Sequence, residues 1–387
     1  MSAPALPAHA APPPLGERLR LWRRRLVANP GFQRWAASFP LTRRLAERNA
    51  RALFDLCAGF VYSQILAACV RLDLFARLAE GPRSIRALSA EIDLTPEATE
   101  RLLRAAAALK LLEMTGDGRF ALADLGAAML GNPAIAAFVE HHALLYDDLR
   151  DPVALLKGET SARLAHFWPY ARRRPGDPPL ATSSPEDARA YAQYGDLMSR
   201  SQALIAEDVL DAVSPGSAQV WLDVGGGEGA FVAAISERAR VELMLFDLPP
   251  VAARARAALE RRGLSGRVRV FDGDFLVDPL PQGADILSLV RVLHDHDDES
   301  ALVLLRRAHA ALAPGGKLLI AEPMASTPGA EPVGDAYFGF YLLAMGRGRP
   351  RSPIEIQKLL REAGFPKARA LKSRRPLLAS LLFAHRV

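Results

Sequence analysis

The chain has 387 residues, half of them hydrophobic, a formal net charge of +6 and two cysteines. That length exceeds one ordinary core and predicts two domains. Cys57 and Cys69 fall in one helical region without metal spacing, which excludes a disulfide-stapled scaffold and reads as buried thiols in a reducing compartment. No uncharged apolar run of about 18 residues occurs and the N-terminus lacks a compact signal region, so the expectation is a cytoplasmic, non-spanning chain.

Charge is unevenly spread. Residues 1–51 hold ten arginines and two glutamates, a balance of +8 that leaves −2 for the rest. Within this arm, residues 1–14 are rich in Ala and Pro. Leu15, Leu19, Trp22 and Leu26 then recur at helical spacing, with Arg18, Arg23, Arg24 and Arg25 on other faces, until Asn29-Pro30 stops the helix. Phe32, Trp35 and Phe39 form a second aromatic group. A basic amphipathic arm of this kind suits a membrane surface or an anionic partner, and equally a solvated face on helices packed against a second subunit.

From about Leu53 to Leu130 the pattern is helical with one interruption. A short helix starts at Pro82–Leu88, Thr95-Pro96-Glu97 opens a second that runs to Leu112, and Glu113–Leu122 is a hairpin with a Gly-Asp-Gly turn. Helix, turn, helix, hairpin is a winged-helix unit. Its second helix carries an unbroken Ala105–Ala108 run and no Asn, Gln or Ser to read base edges, so a dimerising unit is expected rather than one that binds nucleic acid. A transcriptional regulator with a cofactor-sensing domain is the alternative. The expected division is a basic arm at 1–50, the winged-helix dimerisation domain at 51–168, a Pro/Arg/Ser linker at 169–184 and a cofactor-binding domain at 185–387.

The second half alternates strand and helix, with strands expected at about 220–224, 241–247, 268–275, 284–293 and 317–323. That spacing implies a parallel, doubly wound sheet. Two closing strands near 367–371 and 377–385 are too close for a crossover and must form an antiparallel hairpin. The first strand empties into Gly225-Gly226-Gly227-Glu228-Gly229-Ala230, a tight turn before a helix, where a nucleotide-like cofactor can lie against the main chain. Gly225, Gly227 and Ala230 also satisfy a dinucleotide fingerprint, and Asp247 sits where a ribose-binding acid belongs. The closing hairpin and Gly273-Asp274-Phe275, a carboxylate for an adenine amino group beside an aromatic face, argue against a nicotinamide dehydrogenase. The fourth strand delivers Arg291-Val292-Leu293-His294-Asp295-His296 and the fifth Ala321-Glu322-Pro323.

Asp-Val-Gly-Gly-Gly-Glu-Gly, Phe-Asp-Leu-Pro-Pro, Gly-Asp-Phe, Arg-Val-Leu-His-Asp-His-Asp-Asp and Pro-Gly-Gly-Lys-Leu-Leu-Ile-Ala-Glu-Pro together resemble the S-adenosylmethionine-dependent O-methyltransferases of the caffeate and hydroxyindole type. The match extends over roughly residues 50 to 387. The Arg- and Trp-containing arm with Phe54–Gln64 is similar to the carotenoid-pathway branch of that family.

The resemblance implies a Rossmann-like α/β methyltransferase domain, a mostly parallel seven-stranded sheet with a C-terminal antiparallel hairpin, joined to an N-terminal helical winged-helix domain that makes a homodimer. It implies S-adenosyl-L-methionine as methyl donor and a lipophilic acceptor, a hydroxylated carotenoid, with a phenol or a tetrapyrrole as alternatives. Gly225, Gly227 and Gly229 would lie near the donor's methionine and ribose, Asp247 at the ribose hydroxyls, and Asp274 and Phe275 at the adenine. Arg291 and Met198 complete that set, a thioether suiting a soft sulfonium. His294 would be the base and Glu322 the carboxylate that orients it.

Tyr194, one helical turn before Met198, and Tyr337, Phe338 and Tyr341, from a segment apolar on every face, would line the acceptor pocket or the dimer core. No metal site is expected, because adjacent residues on the 294–298 turn do not converge on one ion. His141 and His142 read as helix-surface or pocket-wall residues. Two departures stand out: His296 where the family commonly has Trp, and Arg349-Pro350-Arg351-Ser352, which offers proline where plant relatives have a second orienting acid, so that His294 would have a single carboxylate partner.

Overall fold

The computed structural model describes residues 14–167, 195, 198–199, 201–202 and 205–387. Tyr194 and the 169–184 linker lie outside those residues. The chain divides into two compact units, Met1–Leu74 with Glu80–Ala123, and Phe75–Ala79 with Asp124–Val387.

In the first unit, helices Leu15–Ala28, Pro30–Ser38 and Pro40–Arg71 follow one another. The Asn29 side chain accepts the Phe32 N–H at 3.0 Å, capping the second helix as the first ends. Trp35 is centred 5.5 Å from Phe32 and 5.0 Å from Phe39, on which it stacks. The winged-helix motif is present: helices Ile85–Ile92 and Pro96–Ala108 precede an antiparallel pair, β1 (Leu112–Met114) and β2 (Phe120–Leu122). Ser84 and Thr95 cap the two helices through their hydroxyls. Cys69 is buried but Cys57 is exposed, against the expectation of two buried thiols. Cys57 follows Leu53, Phe54 and Leu56 on a stretch of helix whose apolar side chains are themselves exposed.

That helix, Pro40–Arg71, also departs from the sequence reading in a second way. By length and composition it could cross a membrane, with an 18-residue window of mean hydropathy 1.7. A search for uncharged runs passes over it because Arg51, Asp55 and Arg71 punctuate the apolar stretch.

The second unit holds the sheet. Its strands are β3 (Val220–Val224), β4 (Glu242–Asp247), β5 (Val268–Asp272), β6 (Ala284–Val290), β7 (Leu312–Glu322), β8 (Ala368–Leu371) and β9 (Ser380–His385). Their spatial order is β5-β4-β3-β6-β7-β9-β8. The first five run parallel, while β9 lies antiparallel between β7 and β8. Helices Ala230–Arg238, Pro249–Arg261, Asp298–Ala311 and Pro353–Glu362 connect the strands. Apolar clusters fill both faces, one around Leu222, Leu287 and Leu318, the other around Trp221, Leu243 and Leu319. Burial on both sides explains why these strands read as continuous apolar runs.

The division into compact units falls at Asp124, whereas the sequence reading expects a domain boundary at 168. Helices Pro133–Asp148, Pro152–Lys157 and Arg163–Phe167 join the sheet unit because Leu145, Leu155 and Leu164 share a core with Tyr341, Leu342 and Met345. The last three lie on helix Gly339–Met345, which continues a π-helical segment, Pro332–Phe338.

Candidate active site

Where the parallel strands end, β3 gives way to three glycines in a row. Gly225 and Gly227 hold φ of +69° and +56°, and Gly229 holds +80°, a region that only glycine occupies without strain. The Gly225 N–H donates to the Phe246 carbonyl at 2.8 Å, tying the bend to β4. Each glycine answers a different constraint. A Cβ on Gly225 would lie 2.7 Å from a Val292 methyl, and one on Gly226 would lie 2.8 Å from an Asp223 oxygen; one on Gly227 would meet nothing within 4 Å.

Gly225, Gly226 and Gly227 line a pocket of about 1100 Å³, counted with the solvent at its mouth. Met198, Asp247, Asp274, Phe275 and Arg291 line it too, so seven of the eight residues expected at a cofactor are gathered there. Gly229 is the exception. It caps the Ala230–Arg238 helix and sits against Leu259, where an added methyl would come within 3.1 Å of that side chain.

Asp247 accepts the Gly227 N–H on one oxygen and the Leu248 N–H on the other, both at 2.8 Å. Burial pushes its carboxyl up to about 6 despite those two bonds. A carboxylate has roughly four acceptor sites, so it can hold the bend and still receive the vicinal hydroxyls of a ribose. Asp274 accepts the Leu276 N–H at 2.9 Å. Glu228, on the pocket wall, is held by Arg254 Nε at 2.8 Å. Arg291 has φ +60°, unusual for a side chain of its size, and donates to Ser201 Oγ and Met198 Sδ, each at 2.7 Å. Open main chain beside Gly227, a buried carboxylate at the end of β4, and an acid and an aromatic ring after β5 form a donor set that fits a nucleoside; a soft sulfur beside it suits a sulfonium.

A smaller cavity of about 280 Å³, likewise counted with open solvent, adjoins this pocket. The two share a wall of Met198, Arg291 and Asp295. His294, Phe338 and Tyr341 line the small cavity with Phe138, Leu342 and Met345. Tyr337 is not on its surface: it stacks on Tyr341 and its hydroxyl meets His142 Nε2 at 2.8 Å. Tyr341 likewise pairs with His141 Nε2 at 2.9 Å. The two histidines are therefore partners of these tyrosines, a role invisible from a helix whose apolar residues surround them.

His294 sits on a short turn, Leu293–Asp295, and is 4% exposed. Burial, with Arg291 and Arg351 adding to it, lowers its imidazole to about 3, so the ring is neutral. Its Nε2 lies 3.3 Å from an Asp295 oxygen, and its Nδ1 is buried with no partner among the described residues. Glu322 does not meet the ring as expected. Its Oε2 accepts the His294 main-chain N–H at 3.1 Å, and burial pushes its carboxyl up to about 7. The carboxylate at the end of β7 thus reaches the backbone of the turn, and its other oxygen has no hydrogen-bond partner among the described residues. The acid at the ring is Asp295, which sequence spacing does not single out; burial drives its carboxyl well above the usual range.

Two adjoining cavities, one built for a nucleoside and one apolar with a neutral imidazole in its wall, on a seven-stranded sheet closed by an antiparallel hairpin, define a class of group-transfer enzyme. The chain belongs to the O-methyltransferase family: residues 146–366 match its O-methyltransferase domain and residues 54–132 its O-methyltransferase dimerisation domain. It is 45% identical to demethylspheroidene O-methyltransferase of Cereibacter sphaeroides over 94% of each chain. It is 41% identical to the enzyme of that name from Rhodobacter capsulatus, over 90% of this chain and 85% of that one. Among solved structures, human N-acetylserotonin methyltransferase in complex with SAM matches with a TM-score of 0.67 at 25% identity, covering 87% of this chain and 97% of that one. Mitomycin 7-O-methyltransferase matches with a TM-score of 0.71 at 25% identity, over 89% and 100%.

Proposed function

We propose that this protein methylates a hydroxyl of a carotenoid, with S-adenosylmethionine as donor in the large pocket, the acceptor oxygen in the small one and His294 as proton acceptor. The observation that carries the reading is the shared wall of Met198, Arg291 and Asp295, which sets the two sites side by side with His294 on the acceptor side. The carotenoid class is supported by the two demethylspheroidene O-methyltransferases, alike over most of the chain. The apolar wall of Phe138, Phe338, Leu342 and Met345 supports it as well.

When bound, S-adenosylmethionine supplies an already activated methyl group. The chain's residues then have two tasks, alignment and proton removal. Gly225–Gly227 and Asp247 fix the nucleoside, Met198 and Arg291 shape the passage between the cavities, and the aromatic wall excludes water from the acceptor. An alcohol is far too weak an acid for a neutral imidazole to ionise in advance. His294 therefore takes the proton as the carbon–oxygen bond forms, and positioning supplies most of the rate.

The dimerisation-domain match begins at residue 54, where Phe54, Leu56 and Phe60 are exposed on the Pro40–Arg71 helix. A second copy of the chain covering that apolar face gives a homodimer. The N-terminal helix presents an exposed Leu15, Leu19 and Trp22 stripe among Arg18, Arg23 and Arg25, and is read as contact with an anionic membrane surface, placing a cytoplasmic enzyme beside a lipid-borne acceptor.

The test is incubation of purified protein with methyl-labelled S-adenosylmethionine and a panel of hydroxycarotenoids, phenols and chlorophyll precursors. Label should enter the hydroxycarotenoids. His294→Ala should lower kcat by roughly 10² while donor affinity persists; unchanged turnover in that variant removes His294 from the mechanism.

A further inference from the structure

The turn that carries His294 is gripped from the opposite side by a segment more than 50 residues later in the sequence. Arg351 is fully buried, yet its guanidinium is satisfied at all three nitrogens. Nη1 donates to the Leu293 carbonyl at 2.9 Å, Nη2 to the His296 carbonyl at 2.7 Å, and Nε to Asp298 at 2.8 Å. Leu293 and His296 bracket the imidazole in sequence; within the three-residue turn the Leu293 carbonyl accepts the His296 N–H at a long 3.3 Å, and the guanidinium adds a shorter bond to it. A planar fork is the one side chain that can hold two carbonyls and a carboxylate in fixed relation. Three residues earlier, a methyl group on Gly348 would strike the His294 carbonyl oxygen and lie 2.8 Å from Asp295 Cα. The same loop thus presses on the turn at one point and hangs it from a fork at two others.

We propose that Arg351 is the positioning residue of the reaction: its guanidinium, with Gly348 packed beneath, sets the height and rotation of the 293–296 turn and thereby where the His294 ring stands in the acceptor cavity. The orientation comes from the backbone side of the turn, through the Leu293 and His296 carbonyls. Glu322, accepting the His294 N–H, is the third point of support. The imidazole's own contact with Asp295 is the fourth. The inference rests on the reading of His294 as proton acceptor.

Arg351→Lys keeps the charge and removes the fork; Gly348→Ala disturbs the same turn without touching Arg351. Both are compared with wild type, with His294→Ala and with Arg349→Ala, whose side chain pairs with Asp298 and Glu355 rather than with the turn's carbonyls. Methyl transfer is followed as kcat and acceptor KM separately, donor affinity by calorimetry and folding by thermal denaturation. The expected result is a kcat roughly 10- to 100-fold lower in Arg351→Lys and Gly348→Ala. Donor affinity should stay within about threefold of wild type, and Arg349→Ala should be unaffected. A folded Arg351→Lys with wild-type kcat overturns the proposal, as does kcat falling only in step with donor affinity, or unfolding of both variants, since a positioning contact must be separable from the fold. Wild-type turnover in His294→Ala overturns the base itself and is a distinct outcome.

Discussion

Gly225 and Gly227 are two residues apart, share a left-handed backbone and look interchangeable in the sequence, yet they predict opposite phenotypes when changed to alanine. At either site, holding alanine at positive φ costs about 1–2 kcal/mol. At Gly225 the added methyl also falls 2.7 Å from Val292 Cγ2, and Val292 is buried, β-branched and only two residues before His294. Overpacking of this kind adds about 1–3 kcal/mol, so Gly225→Ala should destabilise the fold by about 2–5 kcal/mol. Gly227→Ala meets no neighbour within 4 Å and should cost only the backbone term. Its methyl projects into the pocket space, however, and should weaken S-adenosylmethionine binding at least about tenfold by denying the ligand close approach to the main chain. Urea unfolding reads the first quantity and titration calorimetry the second. Val292→Ala in the Gly225→Ala background should recover part of the loss as a coupling energy of about 1–2 kcal/mol. Wild-type donor affinity in Gly227→Ala, or wild-type stability in Gly225→Ala, would refute the assignment of these two positions.

Three further outcomes follow from the buried charges and the arm. Because the neutral form of His294 persists down to about pH 3, kcat should stay flat from about pH 7 to 5, while the donor KM rises below about pH 6 as Asp247 takes up its proton; a kcat limb near the ordinary histidine value would show a solvated ring. Asp223, fully buried beside Ser288, has its carboxyl raised to about 7, so the folded state holds a proton that the unfolded chain has released above about pH 4. Stability is therefore lost progressively as pH rises from about 4 through about 7, and Asp223→Asn should remove that slope and gain on the order of 2–4 kcal/mol at about pH 8 in denaturant titrations. Replacing Arg23, Arg24 and Arg25 by Glu should abolish co-sedimentation with phosphatidylglycerol vesicles at low salt and leave turnover on a detergent-dispersed acceptor unchanged; retained vesicle binding would show the arm to be a subunit contact.

Much of the second half is readable because its strands are buried on both faces. Val220–Val224 is predicted and observed with the same ends. The third strand stops at Asp272, short of the expected Phe275, because the Asp274 carbonyl turns the chain by accepting the Val277 and Asp278 N–H groups. The carboxyl-edge rule for such sheets is enough to collect Asp247, Asp274, Phe275 and Arg291 into one pocket. What it cannot supply is atomic direction. Whether Glu322 faces the ring or the backbone of His294 depends on how a three-residue turn is rotated; the family resemblance marks the 349–352 segment as one that bears on the histidine, but not that Arg351 grips the turn through its carbonyls. The packing of the helices within 133–167 escapes for a related reason: in sequence they look like a continuation of the winged helix, and only the structure shows their apolar side chains sharing a core with Tyr341 and Leu342.

The placement of β9 has a consequence for how the protein is made. It follows β8 in the chain but lies between β8 and β7, so β8 emerges from the ribosome with no neighbour to join. Until Ser380–His385 has been synthesised, β7 keeps an open edge of unpaired amides and the sheet lacks its last two strands. A message cut short between β8 and that strand would leave β7 exposed as an edge and β8 with no strand to pair with, and its product should aggregate rather than fold into a smaller domain.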